Sequence, residues 1–391
     1  MKHHNDALHA LSRRLDPVWW LTAKLLRLRR YGADPAVPQT ILLVDLHLLG
    51  DLVMLIPLLR VIRRFHPAAH VGLVAGPWGR DILSGSGLVD EFITLRAPWV
   101  SRGQGLGGIR AVLKALRKCR TRTWDWGIDV RGDVRNALIL ALAGARRRVA
   151  YDFSGGAALL TDVVPDDGKL RHIVDHHAAI AECLGMSMTA DERIPSLGRR
   201  EHRGHREHRE HRGHREPGAA DSRLIGFHFG ASMLLRRMPV DEACALVASF
   251  QDDAHTRLIL VDAPDVRALN SAVLERLPAR WAAGIERWQG NLPELIEFLK
   301  RLDEFYAMDS GPAHLAAALG VKTTVFFGPN VSLAVRPLGH HVSVVERGDV
   351  ACRPCDQHRC VNPHRQECLT QLVHSVRRID RLSLVPTSRI A

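Results

Sequence analysis

Asp51, Asp309 and Arg236 are the charged residues of this 391-residue chain that stand where chemistry could be done, each close to small residues after an apolar run. "HLLGDLVMLIPLLR", residues 47–60, sets one carboxylate, Asp51, directly after a glycine. A carboxylate at such a turn can act as a general base, or it can cap the helix that follows. "AMDSGPAHLAAALG", residues 307–320, runs from Asp309, Ser310 and Gly311 through Pro312 into a small-residue helix. Proline fits the first helical turn because its missing N–H would be unpaired there. The free amides of Ser310 and Gly311, with the helix dipole, make an anion site flanked by Asp309 and His314. The other reading is a capped helix start with a packed histidine. "HFGASMLLRRMP", residues 228–239, repeats the plan: Gly230, Ala231 and Ser232 form a small turn before Arg236 and Arg237, which suits a diphosphate or a solvated surface loop. "CRPCDQHRCVNPHRQEC" spaces Cys352, Cys355, Cys360 and Cys368 as C-x2-C-x4-C-x7-C. A C-x2-C knuckle and two later thiolates can close a tetrahedron on zinc or iron. Four thiolates leave no open position, so such a site would be structural. Free thiols, or disulfides in an oxidising compartment, are the alternatives.

These residues need strand–turn–helix units to position them. "ILLVDL", residues 41–46, reads as a strand, and Leu52, Leu55, Ile56, Leu59 and Ile62 then fall at helical spacing. Further strands are expected at residues 70–76, 90–95, 124–132, 223–232, 257–264, 304–308 and 323–328. Helices are expected at residues 108–119 and 135–145, and from about Pro312. Alternation of this kind defines doubly wound α/β domains, which bind ligands at the carboxyl ends of their strands. Four regions follow: a basic amphipathic extension (1–40), an α/β domain (41–198), an Arg/His/Glu-rich linker (199–219) and a second α/β domain carrying the cysteines (220–391). Two such domains place a cleft between them.

The formal charge of +12 asks for an anionic partner. Aromatic content is only 5% and no nucleic-acid-binding motif is present, so DNA and RNA are not expected. No strand is followed by G-x-G-x-x-G, and no G-x-x-x-x-G-K precedes Ser or Thr, so dinucleotide oxidoreductases and P-loop enzymes lose support. Trp19, Trp20, Leu21 and Leu25 alternate with Arg13, Arg14, Lys24 and Arg27, so the first helix either lies on an anionic bilayer or packs on the domain. "VWWL" is too short for a secretory signal, and no segment is long and apolar enough to span a bilayer; a cytoplasmic location is expected. The histidines of the linker have no fixed geometry, and the segment reads as a disordered or weakly helical connection.

Three stretches taken together resemble the ADP-heptose:lipopolysaccharide heptosyltransferases, glycosyltransferase family nine. They are "ILLVDLHLLGDLVMLIPLLRVIRRFHPAAHVGLVAG", "GFHFGASMLLRRMP" and "FYAMDSGPAHLAAALGVKTTVFFGP", and "WDWGIDVRGDVRNALILALAGARRRVAYD" fits the same pattern. The resemblance implies a GT-B fold, with two Rossmann-like domains facing across a cleft. The first would take the acceptor and the second the nucleotide-sugar. It implies Asp51 as general base in an inverting transfer from ADP-heptose to a lipopolysaccharide core, at the cytoplasmic face of the inner membrane. The leaving diphosphate would be met by Arg236 and the amides around Ser310 and Gly311. Asp309 would hold sugar hydroxyls and His314 would shape the turn, while Gly230 and Ser232 complete the donor loop. No cofactor is implied for catalysis. In the related autotransporter enzymes, similar cysteine clusters hold iron. Two positions depart from the family: Arg236 stands for its lysine, with a different phosphate geometry, and Met238 for its tryptophan. A protein or other glycan acceptor, or a non-catalytic nucleotide-sugar-binding protein on the same fold, are the competing readings.

Overall fold

Parallel strands covered on both faces read as unbroken apolar runs, and Ile41 to Asp45 are buried without a break. The computed structural model describes residues 16–25, 37–100, 105–198, 222–251, 255–264, 266–355 and 359–373. The linker expected at 199–219 and most of the 1–40 extension lie outside them. The chain divides into two units, Met1–Pro195 and Ser196–Ala391.

The first unit runs α1 (Asp16–Leu25), β1 (Thr40–Asp45), α2 (Leu49–Phe65), β2 (His70–Ala75), α3 (Trp78–Leu83), β3 (Glu91–Thr94), α4 (Gly105–Cys119), β4 (Trp126–Asp129), α5 (Val134–Leu142), β5 (Arg147–Ala150), β6 (Asp162–Val163) and α6 (Ile173–Cys183). Its strands are all parallel, in the order β3-β2-β1-β4-β5-β6. The second unit runs β7 (Arg223–His228), α7 (Val240–Ala248), β8 (Thr256–Val261), α8 (Arg267–Arg276), α9 (Ala279–Ala282), β9 (Ile285–Trp288), α10 (Leu292–Arg301), β10 (Glu304–Met308), α11 (Gly311–Ala318), β11 (Lys322–Phe327), α12 (Ser332–Val335) and β12 (Val342–Glu346). Its strands are also all parallel, in the order β12-β11-β10-β7-β8-β9. Counted within each unit, both orders are 3-2-1-4-5-6, the doubly wound arrangement. The order reverses between β1 and β4 in the first unit and between β7 and β10 in the second. The expected α/β, GT-B-type architecture of two Rossmann-like sheets is therefore present.

The helix after β1 begins at Leu49, three residues before the apolar repeat starts, so Asp51 lies inside its first turn. From Leu52 to Ile62 only Arg60 is exposed. Each fully buried aliphatic side chain there contributes roughly 1.5–3 kcal/mol of burial free energy. The helix expected at 135–145 ends at Leu142, because Gly144 takes φ +81, the left-handed turn-off that glycine allows. Elements the sequence reading left unassigned include α6, α7, α8 and the strands β5, β9 and β12. Two of these strands, β9 and β12, are sheet edges and carry Glu286, Arg287 and Glu346, which break the apolar run.

α1 answers the two readings of the N-terminal helix with a division of faces. Trp19 packs on the cluster of Val134, Ala137, Ala150, Leu159 and Leu160, and Asp16 Oδ1 accepts the Gly156 N–H at 2.9 Å. Val18, Trp20, Leu21 and Leu25 are exposed on the other side. No helix among the described residues is long and apolar enough to cross a membrane.

Candidate functional site

In the first unit, β1 and β4 pair in register up to Val44 and Asp129, so the loops leaving both strands emerge side by side. Asp51 stands in this opening. Its Oδ2 accepts the backbone N–H of Leu48 at 3.2 Å, and its Oδ1 accepts from Arg131 Nη1 at 2.9 Å. The carboxylate thus caps the helix with one oxygen and meets an arginine with the other. The side chain of Arg131 is 9% exposed and that of Asp51 is 22% exposed, so solvent screens the pair only partly. Arg131 is aimed by Asp129, which is fully buried. Asp129 Oδ1 accepts from the Arg131 N–H at 3.0 Å and from Asn136 Nδ2 at 2.9 Å, and Oδ2 accepts the Asp133 N–H at 2.9 Å. Burial pushes the Asp129 carboxyl up to about 7 against these donors.

Two further ionisable groups face Asp51. Asp45 ends β1; burial, reinforced by the Asp51 charge, pushes it up to about 6, with Arg131 opposing. His47 is held neutral, pushed down to about 4 by burial and by Arg131. Sequence reasoning found Asp51 but not Arg131, Asp45 or Asp129. Only the adjacency of β1 and β4 brings them together.

In the second unit the same topology gathers the donor-side residues. β7 ends at His228 beside Ala307 of β10, and Asp309 follows that strand. Asp309 is 4% exposed. Its Oδ2 accepts from Arg236 Nη2 at 2.5 Å and from Asn330 Nδ2 at 2.7 Å, and its carbonyl takes a second bond from Arg236 Nη2 at 2.9 Å. Ser310 precedes α11 in extended conformation; its Oγ donates to the Met308 carbonyl at 2.9 Å and lies 3.3 Å from His228 Nδ1. Gly311 and Pro312 open α11, and His314 is buried one turn in. Gly230 leaves β7 where a Cβ would stand 2.1 Å from Val266 Cγ1, so only glycine fits. Ser232 is exposed at the tip of that loop. Met238, at the family's tryptophan position, is buried in the unit's core. Arg236, Gly230, Asp309, Ser310, Gly311 and His314 therefore belong to adjoining turns. His228 and Asn330 are the members missed; Asn330 lies in the "GPN" turn after β11, where only its being polar and following a Gly-Pro pair marked it.

Cys352, Cys355, Cys360 and Cys368 line a single recess with Pro329 and Arg353. Asn362 Nδ2 donates to Cys352 Sγ at 3.6 Å, and the Gln366 N–H points at Cys360 Sγ at 3.3 Å. Burial pushes the Cys368 thiol up to about 11; Arg353 opposes this and the other three cysteines add to it. All four are free cysteines in this structure. Among the described residues, no group of three or more His, Cys, Asp or Glu side chains is placed to hold a metal ion. The sequence spacing gathers the thiols in one loop, where the Sγ atoms of Cys352 and Cys360 meet Asn362 and Gln366.

Two parallel sheets of order 3-2-1-4-5-6, each with polar residues at its switch point, are a pair of Rossmann-like units of the GT-B type. The family model for glycosyltransferase family 9 (heptosyltransferase) matches residues 109–365, and the chain belongs to that family. It is 23% identical over 309 residues to lipopolysaccharide heptosyltransferase 2 of Escherichia coli K12, covering 78% of this chain and 87% of that one. Among solved structures it is similar to E. coli ADP-heptose lps heptosyltransferase II, with TM-score 0.64, 21% identity, and 86% and 99% of the two chains covered. It is also similar to E. coli heptosyltransferase WaaC with ADP, with TM-score 0.64, 16% identity, and 88% and 99% covered. The chain is thus a glycosyltransferase.

Proposed function

We propose that this enzyme transfers a heptose from ADP-heptose to a lipopolysaccharide core acceptor with inversion, as the names of its relatives and the two switch-point clusters together support. The observation that carries the reading is the donor-side cluster: one arginine, Arg236, held by Asp309, whose carboxylate Asn330 also fixes, beside the amides that open α11. A cation and helix-terminal amides in fixed positions are what a departing diphosphate needs. Asp51 takes the proton of the acceptor hydroxyl as its oxygen attacks the anomeric carbon, and the bond to the nucleotide diphosphate breaks on the opposite face. Arg131 pairs with the Asp51 carboxylate and aims it. Asp309 serves first to orient Arg236, with sugar hydroxyls as its second task.

Calorimetry with ADP, UDP, GDP and ADP-heptose tests the donor assignment. ADP-selective binding that weakens in Asp309→Ala is expected. Selectivity for another nucleotide changes the donor, and folded protein that binds none sinks the reading. Asp51→Asn should then lose at least 100-fold in turnover, the scale of a general base, while donor affinity stays put. Retained turnover would remove Asp51 from the chemistry.

The enzyme works at the cytoplasmic face of the inner membrane in this reading, with the exposed apolar side of α1 against the bilayer. The four cysteines have the soft-donor chemistry for zinc or iron in a structural site. Elemental analysis of purified protein checks this: about one metal per chain is expected, lost in Cys352→Ser/Cys355→Ser. Metal-free, fully folded wild type would assign the cluster to free thiols.

A further inference from the structure

The cysteine loop is fastened to the donor turn at several points. Gln366 Nε2 donates to the carbonyl of Leu235 at 3.3 Å and points at that of Arg237 at 3.5 Å. Those carbonyls flank Arg236. Arg353 reaches the other arm: its Nη2 donates to the Asn330 carbonyl at 3.3 Å and to Glu346 Oε2 at 2.7 Å. The Cys355 N–H donates to the Pro329 carbonyl at 3.2 Å. Leu369, fully buried, sits on Gly328, where a Cβ would lie 2.7 Å from its side chain.

Gln366 has a second peculiarity. It holds φ +51, a left-handed conformation that glycine adopts freely and a side chain resists. A glutamine kept at such a position calls for a role of its side chain. Its backbone N–H is spent on Cys360 Sγ, so the loop's sulfur fixes the residue whose amide holds the donor turn. That turn needs holding, because Leu234–Arg236 is a single 3-10 turn with no helical ladder of its own.

We infer that Gln366 is a positioning residue for the nucleotide-diphosphate site, and that the cysteine loop is the brace through which Gln366 and Arg353 hold Arg236 and Asn330 in place. The inference rests on the donor-site reading above. A braced guanidinium loses less freedom when a diphosphate arrives, so removing the brace weakens binding before it touches the fold.

Gln366→Gly removes the amide and relieves the left-handed backbone, so the fold is retained. Calorimetry with ADP on the full chain should give a Kd about five- to tenfold weaker, the scale of one lost hydrogen bond with its ordering, with a melting temperature at or above wild type. Gln366→Glu, which turns an acceptor toward two carbonyls, should be at least as weak. Gln366→Lys, which keeps a donor of similar reach, should recover part of the affinity. A purely structural role would move the melting temperature and leave the ADP Kd unchanged. Unchanged affinity in Gln366→Gly, alongside weakened binding in Asp309→Ala, overturns the brace and leaves the donor site standing. Unchanged affinity in both variants, or no ADP bound by folded wild type, overturns the two together.

Discussion

Asp51 was legible as a residue because a glycine–carboxylate pair interrupts two apolar runs, yet its partners were not. Arg131, Asp45 and Asp129 have no local mark; one is an arginine among many, and the aspartates end strands that look like any other. The pairing of β1 with β4 makes them a group, and pairing across 80 residues is what sequence periodicity does not report. Their burial carries a consequence for stability. Asp45 and Asp129 titrate at an ordinary 3.8 when unfolded and at about 6 and about 7 when folded. Between those values the folded chain keeps protons that the unfolded chain has released, so their contribution falls as pH rises and is level above. His47 and His177, pushed down by burial to about 4 and about 3, contribute in the opposite direction. Asp45→Asn isolates one of these contributions. Relative to wild type, the variant should gain stability progressively as pH rises from about 4 to about 7, by about 3 kcal/mol in all. Urea melts at both ends of the range measure it, and a pH-independent difference would show that Asp45 stays ionised in the folded chain.

At the scale of elements, strand–turn–helix units were readable where an interior strand is an unbroken apolar run; β5, also interior, opens on Arg147 and Arg148 and was not read. β1, β2, β7, β10 and β11 are nearly continuous buried runs, and each was placed within a few residues. The edge strands β9 and β12 escaped because one side faces solvent and admits charge. The glycine at the end of β7 illustrates how a turn can be read without its reason. Small residues there suggested a ligand's approach, whereas the neighbour that forbids a side chain at Gly230 is Val266, whose Cγ1 would stand 2.1 Å from a Cβ. Gly230→Ala should cost about 1–3 kcal/mol, the usual range for an overpacked site. Val266→Ala in the same chain should return part of that loss despite its own cavity. A thermodynamic cycle over the four proteins measures the coupling. Additive costs would mean that the loop moves aside and that glycine is not needed there for packing.

At the scale of the whole molecule, one sheet order used twice explains why the candidate residues fall where they do. Each cluster lies at the carboxyl ends of the two strands where the order reverses, so the strand alternation in the sequence already indicated which turns mattered. The sequence could not divide the N-terminal helix between its two readings, because an amphipathic pattern does not tell protein from lipid. α1 uses Trp19 for the protein and leaves Trp20 outside, with Lys24 Nζ 5.3 Å over its ring. Tryptophan beside lysine on an exposed face suits the headgroup level of an anionic bilayer, and the basic residues that flank the helix in sequence, Arg13, Arg14, Arg27, Arg29 and Arg30, add attraction worth about 1 kcal/mol each near such a surface. The chain should therefore co-sediment with vesicles containing phosphatidylglycerol and not with neutral phosphatidylcholine vesicles. Trp20→Ala/Leu21→Ala should release it while ADP binding stays intact, since neither side chain joins the core. Raising salt to about 0.5 M, where the Debye length shrinks to a few ångströms, should weaken the wild type as well. Equal binding by the double variant would move the contact to the basic segments alone, and binding to neither vesicle would leave Trp20, Leu21 and Leu25 as a face for a protein partner.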